Sequence, residues 1–259
     1  MRIATFNLLH GRSLSDGLVD LERLRSACAS IDADVLGLQE VDRDQTRSDG
    51  FDLTKEIAEA NGAEHWRFEP ALIGTPGFTW RAAVEGDYLL GTGEAGYGVG
   101  LVSRWPVTRW EVIRLPAAKL KSPIMIPGTK RVIWMQDEPR VALCAVVESP
   151  LGQMTIATTH LSFVPVVNAR QLRTVVREMR RLLPPPYILA GDLNMFGGFP
   201  KLVSGWRSLA DAKTYPTHNP SVQFDWILAD GDLPPVTGVQ SLALAMSDHC
   251  ALAVDIDEP

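Results

Sequence analysis

Six places in this sequence set a polar or ionisable side chain at or beside the end of an apolar run. Asn7 ends RIATFN, Glu40 ends DVLGLQE, and His160 follows QMTIATT. Asp192 and Asn194 follow YILAG, Asp225 leads DWIL, and Asp248-His249 precede CALAVDI. Charged groups rarely stand at the lip of apolar strands without partners, so the recurrence calls for a shared explanation. The Tyr187–Asn194 stretch is the most informative. If YILA is a buried strand, period two puts Asp192 and Asn194 on the same side of its tip, and Gly191 permits a close backbone approach. Taken alone, this pair fits a tight turn at least as well, because Asp and Asn are common turn residues. Taken together, the set is oxygen-rich and contains no cysteine. Hard oxygen donors suit Mg²⁺ or Mn²⁺ rather than a thiolate zinc site. The two histidines can donate to an anionic oxygen or move a proton near neutral pH. Charge neutralisation, water activation and donors for non-bridging oxygens are what hydrolysis of a phosphate ester requires.

Positioning such groups requires strands that end at a common edge. Residues 2–9 read as a first strand, 18–32 as an amphipathic helix, and 34–40 as a second strand, a start that implies a layered α/β protein. A helix is expected over 53–60, stopped by Asn61-Gly62, and a strand over 64–71. The glycine-rich stretch that follows reads as loop up to Gly98, with a short strand over 99–103. Residues 140–148 and 153–159 form a hairpin pattern, and 168–183 is the clearest helix. The last strands run through 224–228 and 251–256. Residues 116–139, with Lys119, Lys121, Lys130, Arg131 and the apolar Ile124, Met125, Ile126 and Trp134, read as a long surface loop or hairpin. With no repeat, low-complexity tract or linker, residues 1–259 are expected to form one domain.

The 259 residues carry 25 basic and 31 acidic side chains, a net charge of −6, which argues against a protein that coats nucleic acid through a strongly positive surface. Cys28, Cys144 and Cys250 form no CxxC pair and read as buried thiols in a reducing compartment. The N-terminus lacks a signal-peptide pattern and no apolar run is long enough to span a bilayer, so a cytoplasmic location is expected.

The motifs TFN (5–7), LQE (38–40), THL (159–161), GDLN (191–194), FDWIL (224–228) and SDH (247–249), in this order, resemble those of the endonuclease/exonuclease/phosphatase superfamily, with its DNase I-like fold. Each is weakly specific alone; the ordered set covers nearly the whole chain. The resemblance implies a four-layered α/β sandwich, two mainly antiparallel β-sheets face to face flanked by helices, and a Mg²⁺- or Mn²⁺-dependent phosphoesterase site at one end. It further implies Glu40 as the main metal ligand, with Asn7 and Asp248 beside the metal. Asp192 would orient or deprotonate water, Asn194, His160 and His249 would contact the phosphate, and Asp225 would orient His249. His10 is read as an ordinary loop histidine. Arg47, Arg81 and Arg140 are weaker candidates for bidentate phosphate contact, and we favour a surface or sheet-edge role for each. The arginines of 168–183 read as a solvated helix face.

GYGVGLVSR (96–104) and SDHC resemble segments of abasic-site nucleases in the superfamily. Against that branch stand His160, where those nucleases carry tyrosine, the absence of an aspartate two residues after Asn7, the short stretch between GDLN and SDH, and the acidic charge. We therefore expect a phosphodiesterase or phosphatase acting on a small molecule, nucleotide or lipid head group. A DNA or RNA nuclease is the first alternative. A non-catalytic phosphate-binding domain is the second, although such a domain should have lost anchors such as Glu40 or His249. Residues 116–139 are candidates for contact with a lipid surface.

Overall fold

The computed structural model describes residues 1–89, 94–118, 121–125 and 132–257. Two sheets lie face to face. The first has β1 (Arg2–Asn7) and β2 (Val35–Arg43) paired in parallel at its centre. It extends on one side through β5 (Gly96–Ser103), β3 (His65–Gly74) and β4 (Trp80–Ala82), and on the other through β15 (Ala251–Ile256) and β14 (Val236–Leu242). The second sheet pairs β10 (Gly152–His160) in parallel with β11 (Tyr187–Asp192). It continues through β9 (Arg140–Ser149) and β6 (Val107–Leu115) on one side and β13 (Asp225–Asp230) and β12 (Arg207–Ser208) on the other. Most pairings are antiparallel, as in a DNase I-like sandwich.

This connectivity explains why the polar strand tips converge. The parallel pairs put the C-terminal ends of β1 and β2, and of β10 and β11, at one edge of their sheets. The strands β15 and β13 run antiparallel to β1 and β11, so they present their N-terminal ends there. The two edges coincide because the sheets pack closely. A Cβ on Gly37 of β2 would fall 2.7 Å from Thr158 Oγ1 of β10. Beside it, Gln39 Nε2 donates to Thr158 Oγ1 at 2.8 Å and to Thr5 Oγ1 at 2.9 Å. The rest of the space between the sheets is filled by aliphatic side chains such as Ile3, Leu101, Leu143, Ile188, Ile227 and Val254.

Helices cover both outer faces. On the first sheet lie α1 (Leu21–Ile31) and α2 (Leu53–Ala60), through Leu24, Cys28, Ile31 and Ile57. On the second lies α3 (Val167–Leu182), through Leu172, Val175 and Met179. Next to it stands the short α4 (Phe199–Ser204), which the sequence reading did not foresee. The first helix begins later than expected because the Asp20 carboxylate caps it, accepting from Arg23 N at 2.8 Å, and leaves Leu18 exposed outside. Arg170, Arg173, Arg177 and Arg180 are exposed on α3, as a solvated face requires.

The glycine-rich stretch expected as loop up to Gly98 is loop over most of its described residues, but strands enter it at both ends and at Trp80–Ala82. The third strand runs to Gly74 and the fifth starts at Gly96, because these glycines permit close pairing: a Cβ on Gly98 would fall 2.1 Å from the Glu69 carbonyl oxygen. The 116–139 stretch contains a two-stranded ladder of β7 (Ser122–Met125) and β8 (Val132–Met135), with Trp134 and Met135 exposed on it. Lys119, Ile126, Lys130 and Arg131 lie outside the described residues. The three cysteines are free and buried. No helix of the described residues is long and apolar enough to cross a membrane.

Candidate active site

The second strand of the first sheet does not simply end at Glu40. Its pairing with β5 slips between Leu38 and Val41, and Glu40 adopts φ +53°. A bulge of this kind re-aims one side chain, and left-handed backbone at a residue other than glycine is a strained conformation that concentrates at functional sites. Asn194 (φ +49°) and Ser247 (φ +67°) share the feature at the same edge. Gly191 allows β11 to lie against β10, since a Cβ there would fall 2.0 Å from the Thr159 carbonyl oxygen. That pairing sets His160 directly opposite Asp192, and the next pairing sets Asp192 opposite Asp225.

The side chains then meet. Asn7 Nδ2 donates to Glu40 Oε1 at 3.2 Å and to Asp192 Oδ2 at 3.1 Å, bridging the carboxylates of the two sheets. Its own oxygen accepts from Leu9 N at 3.1 Å, which fixes the amide's orientation. Asp192 Oδ1 accepts from Asn194 N at 2.9 Å, and Asp192 Oδ2 lies 3.5 Å from His160 Nε2 and 3.8 Å from His249 Nε2. His249 Nδ1 is 2.8 Å from Asp225 Oδ2. Ser247, which the sequence reading left without a role, donates to the Asn7 carbonyl at 2.6 Å and accepts from His249 N at 3.1 Å. It ties the SDH turn to β1.

Charge states follow from these surroundings. Burial alone would push His249 down, but the charge and hydrogen bond of Asp225, with Asp192 and Asp248 nearby, outweigh it and lift the imidazole to about 10. Burial pushes Asp192 up to about 7; the His249 cation opposes this and Asp225 adds to it. Burial also raises Glu40, against the hydrogen bond from Asn7 and with the Asp248 charge adding to the rise. His160 is held well below the usual histidine range by burial, Arg140 and His249, so it is neutral.

Arg140 is almost fully buried and points Nη1 at His160 Nδ1, 3.2 Å away, while Asn194 Nδ2 approaches His160 Nε2 at 3.1 Å. A neutral imidazole can accept at only one nitrogen. Arg140 Nη1 and Asn194 Nδ2 can both only donate, so they compete for that acceptor; the charge-assisted bond from the guanidinium favours acceptance at Nδ1, which leaves the proton on Nε2, beside the Asn194 amide and 3.5 Å from the Asp192 carboxylate. An anionic oxygen between His160 and Asn194 would receive both of these donors.

Among the described residues, Glu40 has no hydrogen-bond partner for its carboxylate beyond Asn7, with the charges of His249 and Arg140 acting from a distance, and Asp248 is half-buried with no basic side chain bonded to its carboxylate. Two un-neutralised carboxylates and a neighbouring amide are donors suited to a hard divalent cation. Ligand atoms of Asp192, Asp225 and His249 also lie within 4.8 Å of one another. There His249 Nδ1 and Asp225 Oδ2 are already bonded to each other, 2.8 Å apart. Arg81 stands apart on the edge strand β4, paired with Asp87 at 2.7 Å and Glu94 at 3.2 Å, and Arg47 is bidentate on Asp42. His10, in the turn after β1, is pushed down to about 4 by burial, Arg47 and Arg12.

The Endonuclease/Exonuclease/phosphatase family profile matches residues 4–249. No curated protein sequence matches the chain. Solved structures with the same fold include an endonuclease/exonuclease/phosphatase from Beutenbergia cavernae, 20% identical with TM-score 0.69 over all of this chain and 71% of that one. A mannosyl-6-phosphatase from Bacteroides thetaiotaomicron is 15% identical with TM-score 0.63 over 99% of each chain. Sphingomyelinase C from Streptomyces griseocarneus is 14% identical, also with TM-score 0.63 over 99% of each. With its fold, its polar strand-tip cluster and a profile match over nearly its whole length, the chain belongs to the endonuclease/exonuclease/phosphatase family, whose members are hydrolases acting on phosphate esters.

Proposed function

We propose that this protein is a Mg²⁺- or Mn²⁺-dependent phosphoesterase that hydrolyses a phosphodiester or phosphomonoester of a small molecule, nucleotide or lipid head group. The observation that carries this reading is the bridge from Glu40 through Asn7 to Asp192, two carboxylates without a lysine or arginine partner, flanked by two histidines held in opposite charge states. Glu40 and Asp248, with Asn7 beside them, would hold the cation. When bound, it supplies positive charge that neutralises the phosphate.

The remaining work belongs to the chain's own groups. Asp192 takes the proton of the attacking water, and its elevated basicity suits that task near neutral pH. The His249 cation, oriented by Asp225, donates to a non-bridging phosphate oxygen. His160 donates a second hydrogen bond from Nε2, with Arg140 fixing its tautomer, and Asn194 contributes its amide. Water attacks in line, its oxygen forms the bond to phosphorus, and the ester oxygen departs with the bonding pair.

The test is turnover of 4-nitrophenyl phosphomonoesters and phosphodiesters by the purified protein with Mg²⁺ or Mn²⁺, before and after chelation, alongside His249→Ala. Turnover abolished by chelator and reduced roughly a thousand-fold in the variant is expected. Equal rates with and without chelator would refute it. Preference for an abasic oligonucleotide, plasmid DNA or RNA over small esters in a substrate panel would replace the small-molecule assignment with a nuclease.

A further inference from the structure

The GDLN turn that supplies Asn194 continues into Met195, Phe196, Gly197, Gly198 and Phe199, and this continuation leaves large apolar side chains in solvent. Phe196 is 60% exposed, Phe199 55% and Leu202 79%. The glycines between the two phenylalanines let the rings meet edge to face, with centroids 6.3 Å apart. Across from them, Val166 precedes α3 with φ +72° and is 63% exposed. A β-branched residue in left-handed backbone is strained, and here no burial of its side chain compensates.

These side chains, from the start of α3 and from α4, line a groove of about 520 Å³, within the size range of small-molecule pockets. Asn194 stands in its lining, and Asn168 fastens the two sides by donating to the Asn194 carbonyl at 3.0 Å. The groove and the candidate site therefore share Asn194, whose amide nitrogen stands 3.1 Å from His160 Nε2. Its walls are mainly apolar, with the exposed Arg173 as the charged member.

We infer that the groove is a subsite for an apolar alkyl group esterified to the scissile phosphate, so that the substrate is an amphiphilic phosphoester. This rests on the phosphoesterase reading above. The occupant is the substrate's own chain because Asn194, assigned above to the phosphate, also lines the groove, and the groove is large enough to receive a chain of several carbons.

The experiment uses two ester series below their micelle-forming concentrations, with alkyl groups from methyl to octyl: alkyl 4-nitrophenyl phosphodiesters and alkyl monophosphates. The wild-type kcat/KM should rise by about two-fold per methylene, less than full burial of a methylene would give because the groove is open. The double variant Phe199→Ser, Leu202→Gln should flatten that slope while turning over the methyl ester at the wild-type rate. Both side chains are largely exposed, so the fold should tolerate the change. A flat wild-type slope, or a slope retained in the double variant, would overturn the subsite. So would a gain that appears only when the octyl ester is presented in phosphatidylcholine vesicles, which would make the patch a membrane contact. If no ester of either series is hydrolysed, the phosphoesterase reading fails. The subsite is then judged by calorimetry, where octyl phosphate must bind more tightly than methyl phosphate to the wild type and not to the double variant.

Discussion

Asp42 and Glu69 are as deeply buried as Asp192, with side chains that solvent does not reach. Their surroundings are nonetheless opposite. Asp42 receives Arg47 through two hydrogen bonds, at 2.8 and 2.7 Å, and Ser48 besides. Glu69 receives Arg67 at 2.6 Å and Arg114 at 2.7 Å, and Arg67 lies flat on Tyr88, 3.7 Å from the ring centroid. Asp192 and Glu40 receive an asparagine amide, backbone or histidines, and no arginine or lysine. All four lie on strands of the sandwich. The difference separates acids that hold the fold together from acids whose charge is left for something that binds. A buried carboxylate without an arginine or lysine bonded to it is costly, so its retention points to chemistry.

Substitutions should separate the two groups. Asp192→Asn should lower kcat by roughly three orders of magnitude, while its thermal midpoint equals or exceeds the wild-type value because a buried charge that the His249 cation offsets only in part is gone. A lower midpoint together with retained turnover would move Asp192 into the structural group. Glu40→Gln bears on the cation. Mg²⁺ or Mn²⁺ at about a hundred times its dissociation constant should stabilise the wild type by about 2.7 kcal/mol, and the variant should lose most of this in a melting series. Equal stabilisation of both proteins would put the cation elsewhere.

Arg67→Met tests the other side. It leaves Glu69 with one arginine in place of two and should destabilise the protein by about 3 kcal/mol, read from denaturant midpoints, with turnover per folded molecule unchanged. A silent substitution would mean that Arg114 alone compensates Glu69.

A pH-dependent effect concerns His249. Its folded-state value of about 10 stands above the ordinary 6.5, so the pairing with Asp225 contributes stability fully below about 6.5. That contribution is lost as pH rises through about 10. Asp225→Asn should remove this alkaline loss and bring the imidazole resonances back toward an ordinary histidine titration in NMR. An unchanged titration would show that Asp192 and Asp248, rather than Asp225, hold the proton.

Most of the site was legible because strand periodicity and the ordered motifs mark residues at strand ends, and the pairing brings those ends to one edge. Asp192, Asn194, His160 and Asp225 follow directly from where their strands stop or start. Arg140 was harder to read. Nothing in EPRVAL says that the arginine turns inward to His160, because its neighbour is supplied by β10 across the sheet. Arg81 could not be separated from it by residue type, and only its pairing with Asp87 and Glu94 on an edge strand does so.

The amino-acid sequence by itself determined the alternation of strands and helices, the oxygen-rich inventory of the site and most of its members, though not the parts played by Ser247 and Arg140. Hydrophobic period and residue chemistry are local properties, written along the chain. Only the tertiary structure decided which acids are neutralised and which are not, because the arginines facing Glu69 come from β3 and β6 while none reaches Glu40 or Asp192. It also decided the bulge that turns Glu40 into the site and the groove that sets Phe196, Phe199 and Val166 beside Asn194. Charge compensation and concavity depend on what distant segments bring to one place, and that is fixed by the packing of the two sheets and their helices.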